Sequence, residues 1–556
     1  MEQSASSSDR VTAPARSLNA FALWALSIVV GVVAGLGAVA FRALIGLLHN
    51  LLFLGEISTS YNANVHTPPS PWGPFVILVP AVGAVGVAFL VKNFAPEAKG
   101  HGVPEVMDAV YQRRGVIRPV VSVVKALASS LSIGSGASIG REGPIIQIGS
   151  SFGSTLGQLL RLPIWQRITL IAAGAGGGIG ATFNTPVGGV LFAVEIILHE
   201  VSARTLVPVI TATATATYVG ELFFGSHPAF SIPAVATPLV VLAKPIVLVA
   251  FAGLGVIAGL VSVVFIRSIY GCEAFFEKYV KGGYYVQHVA GMLVVGSLIY
   301  ALMHGFGHYF VQGVGYATIQ DVLIGFHFPL YLLLLLFAAK LLATSLTLGS
   351  GASGGVFSPA LFLGATSGAA CGAALNHFFP GLHVSPAAFA VAGMAGVVGG
   401  STGAAMAAII MIFEMTLDYS VIVPMTLTVA ISYAVRRGLM KDSIYTRKLT
   451  LRGGSVPESM RADVQLSRRA AEMMHPVSQG LLSAIAADGD GSRANYIAVR
   501  EDDSLWDVLA KMRAGNASIA LVESKDGKLT PGLVQGEITR KDILETLADD
   551  MEIFSG

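Results

Sequence analysis

An acidic side chain, Glu142, lies in a glycine-rich segment that the chain contains twice. Residues 124–149 read VKALASSLSIGSGASIGREGPIIQIG and residues 339–364 read AKLLATSLTLGSGASGGVFSPALFLG, with 13 of the 26 positions identical at an offset of 215. The second copy has Phe357 where the first has Glu142. A carboxylate in an apolar membrane segment is costly unless it is protonated or partnered, so such a residue is functional by default. Two apolar halves that meet at interrupted helices indicate a membrane transport site.

Glycine and proline are predicted to interrupt the apolar segments at residues 134–144, 174–188, 349–359 and 393–403. Helices that begin inside a membrane have free N–H groups and a partial positive charge at that end. Several such ends aimed at one point would bind an anion without a full positive charge. The alternative is that the glycines only allow close helix packing, although Gly-x-Gly followed by proline favours helix starts.

The composition is that of a membrane protein rather than of a soluble enzyme. Of 556 residues, 53% are hydrophobic and only 12% are charged, about half the charged fraction of an ordinary soluble domain. The net charge of +2 does not indicate a nucleic-acid partner. The first apolar stretch has no small-residue cleavage site and is expected to be a retained helix. Cys272 and Cys371 predict neither a disulfide framework nor a metal site.

The duplication extends beyond the glycine-rich segment. Gly100-His101-Gly102 corresponds to Gly313-Val314-Gly315 at an offset of 213. The stretch that ends at Glu195 corresponds to one that ends at Glu414, at an offset of 219. Three blocks in the same order, with nearly constant offsets, indicate an internal duplication of about 200 residues.

The chain is expected to have a disordered N-terminus over residues 1–17, a transmembrane domain over 18–448 and a cytoplasmic tail over 449–556. The two repeats of the transmembrane domain cover about 18–230 and about 240–440. Basic residues cluster before the first apolar segment, in an early loop and after the last segment. The positive-inside rule places these clusters, and therefore both termini, in the cytoplasm.

Three motifs give a specific family resemblance. Gly-His-Gly-Val-Pro (100–104), Gly-Arg-Glu-Gly-Pro (140–144) and Gly-Val-Phe-Ser-Pro (355–359) resemble the signature motifs of the CLC chloride channel and transporter family, and Tyr445 resembles its pore tyrosine. The resemblance covers residues from about 20 to 450. It implies an all-α multi-span membrane protein made of two inverted-topology repeats with re-entrant, broken helices. It also implies a homodimer in the lipid bilayer, with an anion pathway in each subunit.

By resemblance, the anion-binding residues are His101, Gly102, Arg141, Gly143, Gly355, Val356, Phe357 and Tyr445. The amides of Val356 and Phe357 and the Tyr445 hydroxyl would hold a central, dehydrated chloride. Amides around Glu142 would form a more external site, where the Glu142 carboxylate can take the place of the anion until protonation or chloride displaces it. Neutral donors of this kind bind a halide and still release it. Bound chloride is expected, without a metal or an organic cofactor.

Other charged residues have alternative roles. The alternative role for Glu142 is a salt bridge to a neighbouring arginine. Arg141 either raises the local positive potential or anchors its loop. Glu195 and Glu414, at equivalent repeat positions, are expected to hold loop amides by hydrogen bonds. Lys125 and Lys340 are expected to snorkel or to pair internally.

Two positions depart from the family pattern. Proton-coupled members commonly have a second, inward-facing glutamate, and Ile196 stands at that position here. Isoleucine cannot carry a proton, which puts coupled exchange by the usual route in doubt. His101 stands where many chloride-selective members have serine, which suggests a pH-sensitive inner gate or an altered anion preference. Alternatively, this imidazole turns toward the cytoplasm and only a backbone amide faces the anion.

The tail resembles a single CBS repeat over about residues 495–549. A strand, a helix with Leu505, Val508, Leu509 and Met512 on one face, and a strand over residues 518–522 precede an Asp526-Gly527 turn. Such repeats usually work in pairs that can bind adenine nucleotides. With one copy, we expect a dimer-stabilising or regulatory role, or a plain cytoplasmic cap, and only weak support for a bound nucleotide.

These observations predict selective chloride transport that is gated by Glu142. Channel-like or uncoupled conduction is favoured because of Ile196. Chloride/proton antiport is the alternative, and a membrane sensor that signals through the tail is a third. No enzymatic activity is expected, since His199-Glu200 is followed by Ala203 where a zinc protease motif needs a second histidine. A bacterial inner membrane is the expected location.

Overall fold

The computed structural model describes residues 17–199, 201–230, 245–326, 328–453, 469–477, 496–515, 517–523 and 534–543. The chain forms two compact units, Met1–Val456 and Pro457–Gly556. Long apolar helices make up the first unit, and a small α/β fold makes up the described part of the second. Residues 1–16 of the predicted disordered N-terminus lie outside the described residues.

Helices α1 to α8 form the first half of the larger unit. Their bounds are α1 (Ala20–His49), α2 (Val79–Phe94), α3 (Val103–Tyr111), α4 (Val120–Gly134), α5 (Glu142–Leu159), α6 (Ile164–Phe183), α7 (Pro186–Phe192) and α8 (Ala203–Phe224). Helices α1 and α7 continue into π-helical turns over Asn50–Leu54 and Ala193–Leu198. Short 3-10 turns lie at Gly73–Leu78 and Pro96–Ala98.

Helices α9 to α17 form the second half. Their bounds are α9 (Pro245–Tyr279), α10 (Gly283–Phe306), α11 (Tyr316–Leu323), α12 (Leu330–Gly349), α13 (Phe357–Phe378), α14 (Pro386–Thr402), α15 (Ala405–Thr416), α16 (Ile422–Leu439) and α17 (Thr446–Leu451), with 3-10 turns at Pro380–Leu382 and Tyr419–Val421. Among the described residues, eight helices are long and apolar enough to cross a membrane. Helices α4, α14 and α15 are apolar but shorter, as expected for broken helices.

All four predicted interruptions are present, but in segments 174–188 and 393–403 the helix ends only after the first glycines. Helix α6 runs without a break through Gly174 and Gly180, and α14 runs through Gly393. These glycines are packing positions: a Cβ on Gly149 of α5 would collide with the Gly174 carbonyl, and one on Gly364 of α13 would collide with the Gly393 carbonyl. Close packing, the alternative considered for the glycines, therefore applies to these two segments.

The other two interruptions bring the two halves together. Non-helical segments separate α4 from α5 and α12 from α13. Between them, Gly140 N–H donates to the Gly355 carbonyl at 2.8 Å, and Gly355 N–H donates to the Gly140 carbonyl at 2.7 Å. This antiparallel pairing of equivalent residues is what two inverted repeats produce where their axis passes between them.

The paired lysines hold equivalent loops from within. Both are fully buried. Lys125 Nζ donates to the carbonyls of Ala98 and Gly100 at 3.0 and 2.7 Å, and Lys340 Nζ donates to those of Val311 and Gly313 at 3.1 and 2.9 Å. Internal pairing is therefore confirmed, and neither side chain snorkels to the membrane surface.

The smaller unit contains a three-stranded sheet. Strand β1 (Tyr496–Arg500) pairs in parallel with β2 (Ile519–Glu523), which pairs in antiparallel fashion with β3 (Val534–Thr539). Helices α18 (Ala470–Met473) and α19 (Leu505–Ala514) complete the described part. The predicted face of α19 is confirmed, because Leu505, Val508 and Met512 are buried and Leu509 packs against them. The predicted Asp526-Gly527 turn lies outside the described residues.

Candidate anion pathway

Four helices begin close to one point in the larger unit. These are α3, α5, α11 and α13, which start at Val103, Glu142, Tyr316 and Phe357. A glycine-containing loop precedes each of these helix starts. Because glycine has no side chain, the backbones of these loops can approach each other closely. Because each helix N-terminus carries a partial positive charge, their convergence favours an anion at the centre.

Backbone contacts show how tightly these loops pack. A Cβ on Gly143 would collide with the His101 carbonyl and would lie 3.1 Å from the Gly355 Cα. A Cβ on Gly102 would lie 2.8 Å from the Gly143 carbonyl oxygen, and Gly102 has a φ of +87° that favours glycine. Four of the predicted site residues, from three motifs, are therefore adjacent through their backbones.

The Glu142 carboxylate lies at the start of α13, in the other repeat. Glu142 is only 1% exposed. Its Oε1 accepts hydrogen bonds from the Tyr316 hydroxyl at 2.5 Å and from the Ser358 hydroxyl, and its Oε2 lies 3.3 Å from the Ser358 amide nitrogen. The carboxylate thus occupies a position with several donors at the positive end of a helix, where a free anion would also be stabilised.

Arg141 does not neutralise Glu142 by a salt bridge in the described part of the chain. Its guanidinium lies over the rings of Tyr316 and Phe183, at 5.3 and 5.8 Å from their centres. The Nε atom is buried and has no hydrogen-bond partner among the described residues. This arrangement favours the first role considered for Arg141, a local source of positive potential, over a loop anchor.

Several donors expected to hold a central anion are not used by described groups. Val356 and Phe357 begin α13 and are 2% and 3% exposed. Within the described ranges, no carbonyl accepts from their amides, and the Tyr445 hydroxyl has no hydrogen-bond partner. Tyr445 is 2% exposed and its ring packs edge-on to Phe192, with ring centres 6.3 Å apart. These donors remain available for an anion.

His101 is buried. It is 3% exposed, and its ring packs edge-on to Tyr270 with centres 6.0 Å apart. The Tyr270 hydroxyl donates to the carbonyl of Ile444, the neighbour of Tyr445. The His101 Nδ1 has no hydrogen-bond partner in the described structure. Burial does not distinguish the two roles considered for His101, so both its contact with an anion and an orientation toward the cytoplasmic side stay predictions.

Glu195 and Glu414 hold amides of the opposite repeat, as predicted. Each carboxylate accepts from the first amides of a helix in the other half, α15 for Glu195 and α7 for Glu414. The bonds to Glu195 come from Met406 at 3.1 Å and Ala407 at 2.7 Å, and those to Glu414 come from Val187 at 3.0 Å and Gly188 at 2.7 Å. Both glutamates are therefore committed to structural hydrogen bonds.

Ile196, the departure from the internal proton glutamate, is 5% exposed and lies in the π-helical turn after α7. The equivalent helix of the second repeat, α15, is an ordinary α-helix. A π-helical turn is uncommon and often marks a functional position. The neighbouring Glu195 is bonded to the amides of α15, so its carboxylate does not take over at position 196.

Tyr316 and Ser358 are functional candidates that sequence reasoning missed. Both contact the Glu142 carboxylate directly. Neither belongs to the set suggested by the family motifs, because Tyr316 follows the less specific Gly-Val-Gly segment and Ser358 was taken only as part of a helix start. A comparison of the two repeats for unmatched polar residues would have found them: the first repeat has Val103 and Gly143 at the equivalent positions.

This fold and this site define a membrane protein that transports anions, and comparison with known proteins identifies the class. The family model described as voltage gated chloride channel matches residues 83–437, and a CBS domain model matches residues 492–549. The chain therefore belongs to the CLC family of voltage-gated chloride channels and transporters.

Bacterial relatives resemble the chain over most of their length. The H(+)/Cl(-) exchange transporter ClcA of Yersinia pseudotuberculosis is 33% identical over 408 residues, which cover 72% of this chain and 82% of that protein. A ClcB-like protein of Ralstonia nicotianae is 30% identical over 379 residues, which cover 67% of this chain and 85% of that protein.

Solved structures share the fold. A slow cyanobacterial Cl-/H+ antiporter aligns with a TM-score of 0.66 at 24% identity, over 77% of this chain and 97% of that one. A CLC-type fluoride/proton antiporter aligns with a TM-score of 0.63 at 22% identity, over 76% of this chain and 97% of that one. The predicted all-α, inverted-repeat membrane fold is confirmed.

Proposed function

We propose that this protein carries chloride or similar monovalent anions through one pathway in each subunit of a homodimer, with Glu142 as the gate. The observation that supports this most strongly is the place of the Glu142 carboxylate at the start of α13, among hydrogen-bond donors. The adjacent amides of Val356 and Phe357 have no described acceptor, so the carboxylate and an anion would use neighbouring sets of donors.

The gate follows from competition between like charges. An ionised Glu142 accepts hydrogen bonds from the donors at the outer end of the anion pathway, and its charge repels an anion that approaches. Chloride at high concentration competes with the carboxylate for these donors, and a proton removes its charge. In either case the side chain leaves the donors and the pathway opens. Glu142 carries this role alone, because the equivalent Phe357 has no charge.

Channel-like or uncoupled conduction is the mode that we favour. Ile196 cannot bind a proton, and Glu195 beside it holds the amides of α15. Without an acid at position 196, protons that reach Glu142 from outside lack the second proton-binding group that proton-coupled members commonly have. Anion movement would then proceed without stoichiometric proton movement.

Chloride/proton antiport is the second candidate. Glu142 and Tyr445 are both retained, and one relative is named an H(+)/Cl(-) exchange transporter. In this case protons would cross the inner half by a route other than a carboxylate at position 196, for instance along ordered water.

Reconstitution in liposomes distinguishes the two modes. With an outward chloride gradient and a pH electrode or internal dye, uncoupled conduction predicts chloride efflux with no proton uptake against a gradient. Proton uptake that is driven by chloride, and that is lost in Glu142→Gln, would overturn this proposal in favour of antiport. Absence of all chloride flux from the folded, reconstituted protein would instead favour the third candidate, a membrane sensor.

The proposed location is a bacterial inner membrane with both termini in the cytoplasm. It is supported by the basic clusters. Some of their residues also have structural partners, for example Arg436, whose Nε donates to the Gly400 carbonyl, and Lys448, which lies 3.5 Å from Glu105. For the CBS-like tail we propose a regulatory or dimer-stabilising role. Protease digestion of inside-out vesicles should remove the tail, and digestion of right-side-out vesicles should leave it intact.

A further inference from the structure

Three side chains break the symmetry of the repeats at one point of the molecule. At the offsets that relate the two copies, Glu142 is matched by Phe357, Tyr316 by Val103, and Ser358 by Gly143. In each pair, one repeat has a side chain with a hydrogen-bonding group and the other has none. Chance substitutions would be scattered over the repeats, whereas these three meet.

The meeting point is a closed set of hydrogen bonds. The Tyr316 hydroxyl lies 2.5 Å from Glu142 Oε1 and 2.8 Å from Ser358 Oγ, and Ser358 Oγ also contacts Glu142 Oε1. Each hydroxyl has one proton to donate, and an ionised carboxylate only accepts. Both protons can therefore go to Glu142, an arrangement that suits the charged form of this acid. Protonated Glu142 would lose acceptor capacity and fit less well.

Tyr316 is held in place by groups other than Glu142. Its ring is 1% exposed and packs edge-on to Phe230, with centres 5.3 Å apart, and against Phe183 at 6.4 Å. The Arg141 guanidinium lies over the same ring. Helix α11 begins at Tyr316, directly after Gly315 with its φ of +79°. The hydroxyl is thus a fixed donor, and Glu142 is the group that moves toward or away from it.

We propose that Tyr316, with Ser358, is a positioning residue that latches the ionised Glu142 carboxylate at the start of α13 and thereby sets the proton and chloride concentrations at which the pathway opens. This inference rests on the proposed function, since it presumes that Glu142 is the gate. The second repeat supplies both donors of the latch and the first repeat supplies the acid. The gate is therefore shared between the repeats.

The Tyr316→Phe variant tests the latch, because it removes one oxygen and keeps the ring that packs on Phe230 and Phe183. A hydrogen bond to a charged group contributes enough to change a population about tenfold. We expect the external chloride concentration for half-maximal flux to fall about tenfold, since chloride displaces a less firmly held carboxylate. We expect the flux-against-pH curve to move to higher pH by about one unit, since the charged form loses a donor.

Two controls separate a latch from a general structural role. Tyr309→Phe removes the hydroxyl of another buried tyrosine, which accepts from the Ser70 amide at 3.0 Å, and should leave both curves in place. In a Glu142→Ala background, Tyr316→Phe should have no further effect on the chloride or pH dependence. Equal effects of Tyr316→Phe with and without Glu142 would overturn the latch.

The outcomes also distinguish failure of the latch from failure of the gate. If Glu142→Ala alone leaves the pH and chloride dependence unchanged, the proposed gate is wrong. If Glu142→Ala changes them and Tyr316→Phe does not, only the latch is wrong. Ser358→Ala, which keeps the backbone N–H, should shift both curves in the same direction as Tyr316→Phe. A shift in the opposite direction would contradict the shared latch.

Discussion

In the first repeat Lys125 holds the loop before α3, and in the second Lys340 holds the loop before α11, with the same number and kind of hydrogen bonds. Glu195 and Glu414 hold the first amides of α15 and α7 in the same reciprocal way. Around Glu142 this equivalence ends, because Phe357 has neither the charge nor the hydrogen bonds. Groups that support the fold are thus duplicated, and the acid that we propose as the gate is present once.

This difference separates two requirements, the binding of an anion and the regulation of that binding. Inverted repeats place four helix N-termini around one point. The partial positive charges of these N-termini stabilise an anion there under all conditions. A structure that was fully symmetric there would bind an anion without a means of regulating it. In the proposed mechanism, a single acid at one of two equivalent positions adds competition with the anion and proton sensitivity while leaving the supporting bonds unchanged.

Substitution of the packing glycines should have the largest effect, and the same effect in both repeats. Leucine at Gly149 or at Gly364 would place a side chain where a carbonyl group of the facing helix already lies. We expect both variants to lose the folded state, with a cost above about 4 kcal/mol. The measurement is the yield of monodisperse protein after detergent extraction.

Gly253→Leu is the matched control for these variants, because nothing lies within 4 Å of a Cβ at this position. It should be recovered like the unmodified protein. Normal recovery of Gly149→Leu or Gly364→Leu would contradict the described helix packing, and unequal losses would show that the repeats do not contribute equally to the scaffold.

Removal of either buried lysine should have the next largest effect. Lys340→Met leaves the carbonyls of Val311 and Gly313 without a described donor, at a cost on the order of 3 kcal/mol. After Lys125→Met, the carbonyls of Ala98 and Gly100 keep hydrogen bonds from Ser353 Oγ and the Gly354 amide. We expect both variants to lower the thermal unfolding temperature, Lys340→Met by more, while exposed Lys278→Met should not change it. An equal or larger drop for Lys125→Met would contradict this difference.

His101→Ser should have the smallest effect, on selectivity rather than on stability. One donor to the anion changes its affinity about two- to tenfold. Flux measured with chloride, nitrate and fluoride at several values of internal pH should show a changed order or ratio of anions and a weaker pH dependence. Unchanged selectivity together with an unchanged pH profile would rule out contact between the imidazole and the anion.

The sequence predicted the duplicated architecture and the main acid because both depend on local patterns. Gly-x-Gly segments before proline correctly indicated the helix starts at Glu142 and Phe357. The same reasoning could not locate the break within segments 174–188 and 393–403, where Gly174 and Gly393 lie inside helices, because a glycine that admits a neighbouring backbone resembles one that ends a helix. Only the packing partner distinguishes the two cases.

The hydrogen-bond partners of Glu142 could not be predicted from the local sequence pattern. Tyr316 is separated from Glu142 by 174 residues and Ser358 by 216, and they come together only because the repeats are inverted. The buried position of His101 depends in the same way on Tyr270 of a distant helix. Residues that meet across the repeat axis therefore required the structure.

Chloride flux against pH in liposomes, compared between the unmodified protein and Glu142→Gln, tests most directly whether the asymmetric acid is the gate. The amide keeps the size of the side chain and cannot ionise. We predict that the flux of the unmodified protein rises as the external pH falls, and that the flux of Glu142→Gln does not vary with the external pH. A pH-dependent flux that is the same in both proteins would contradict the account.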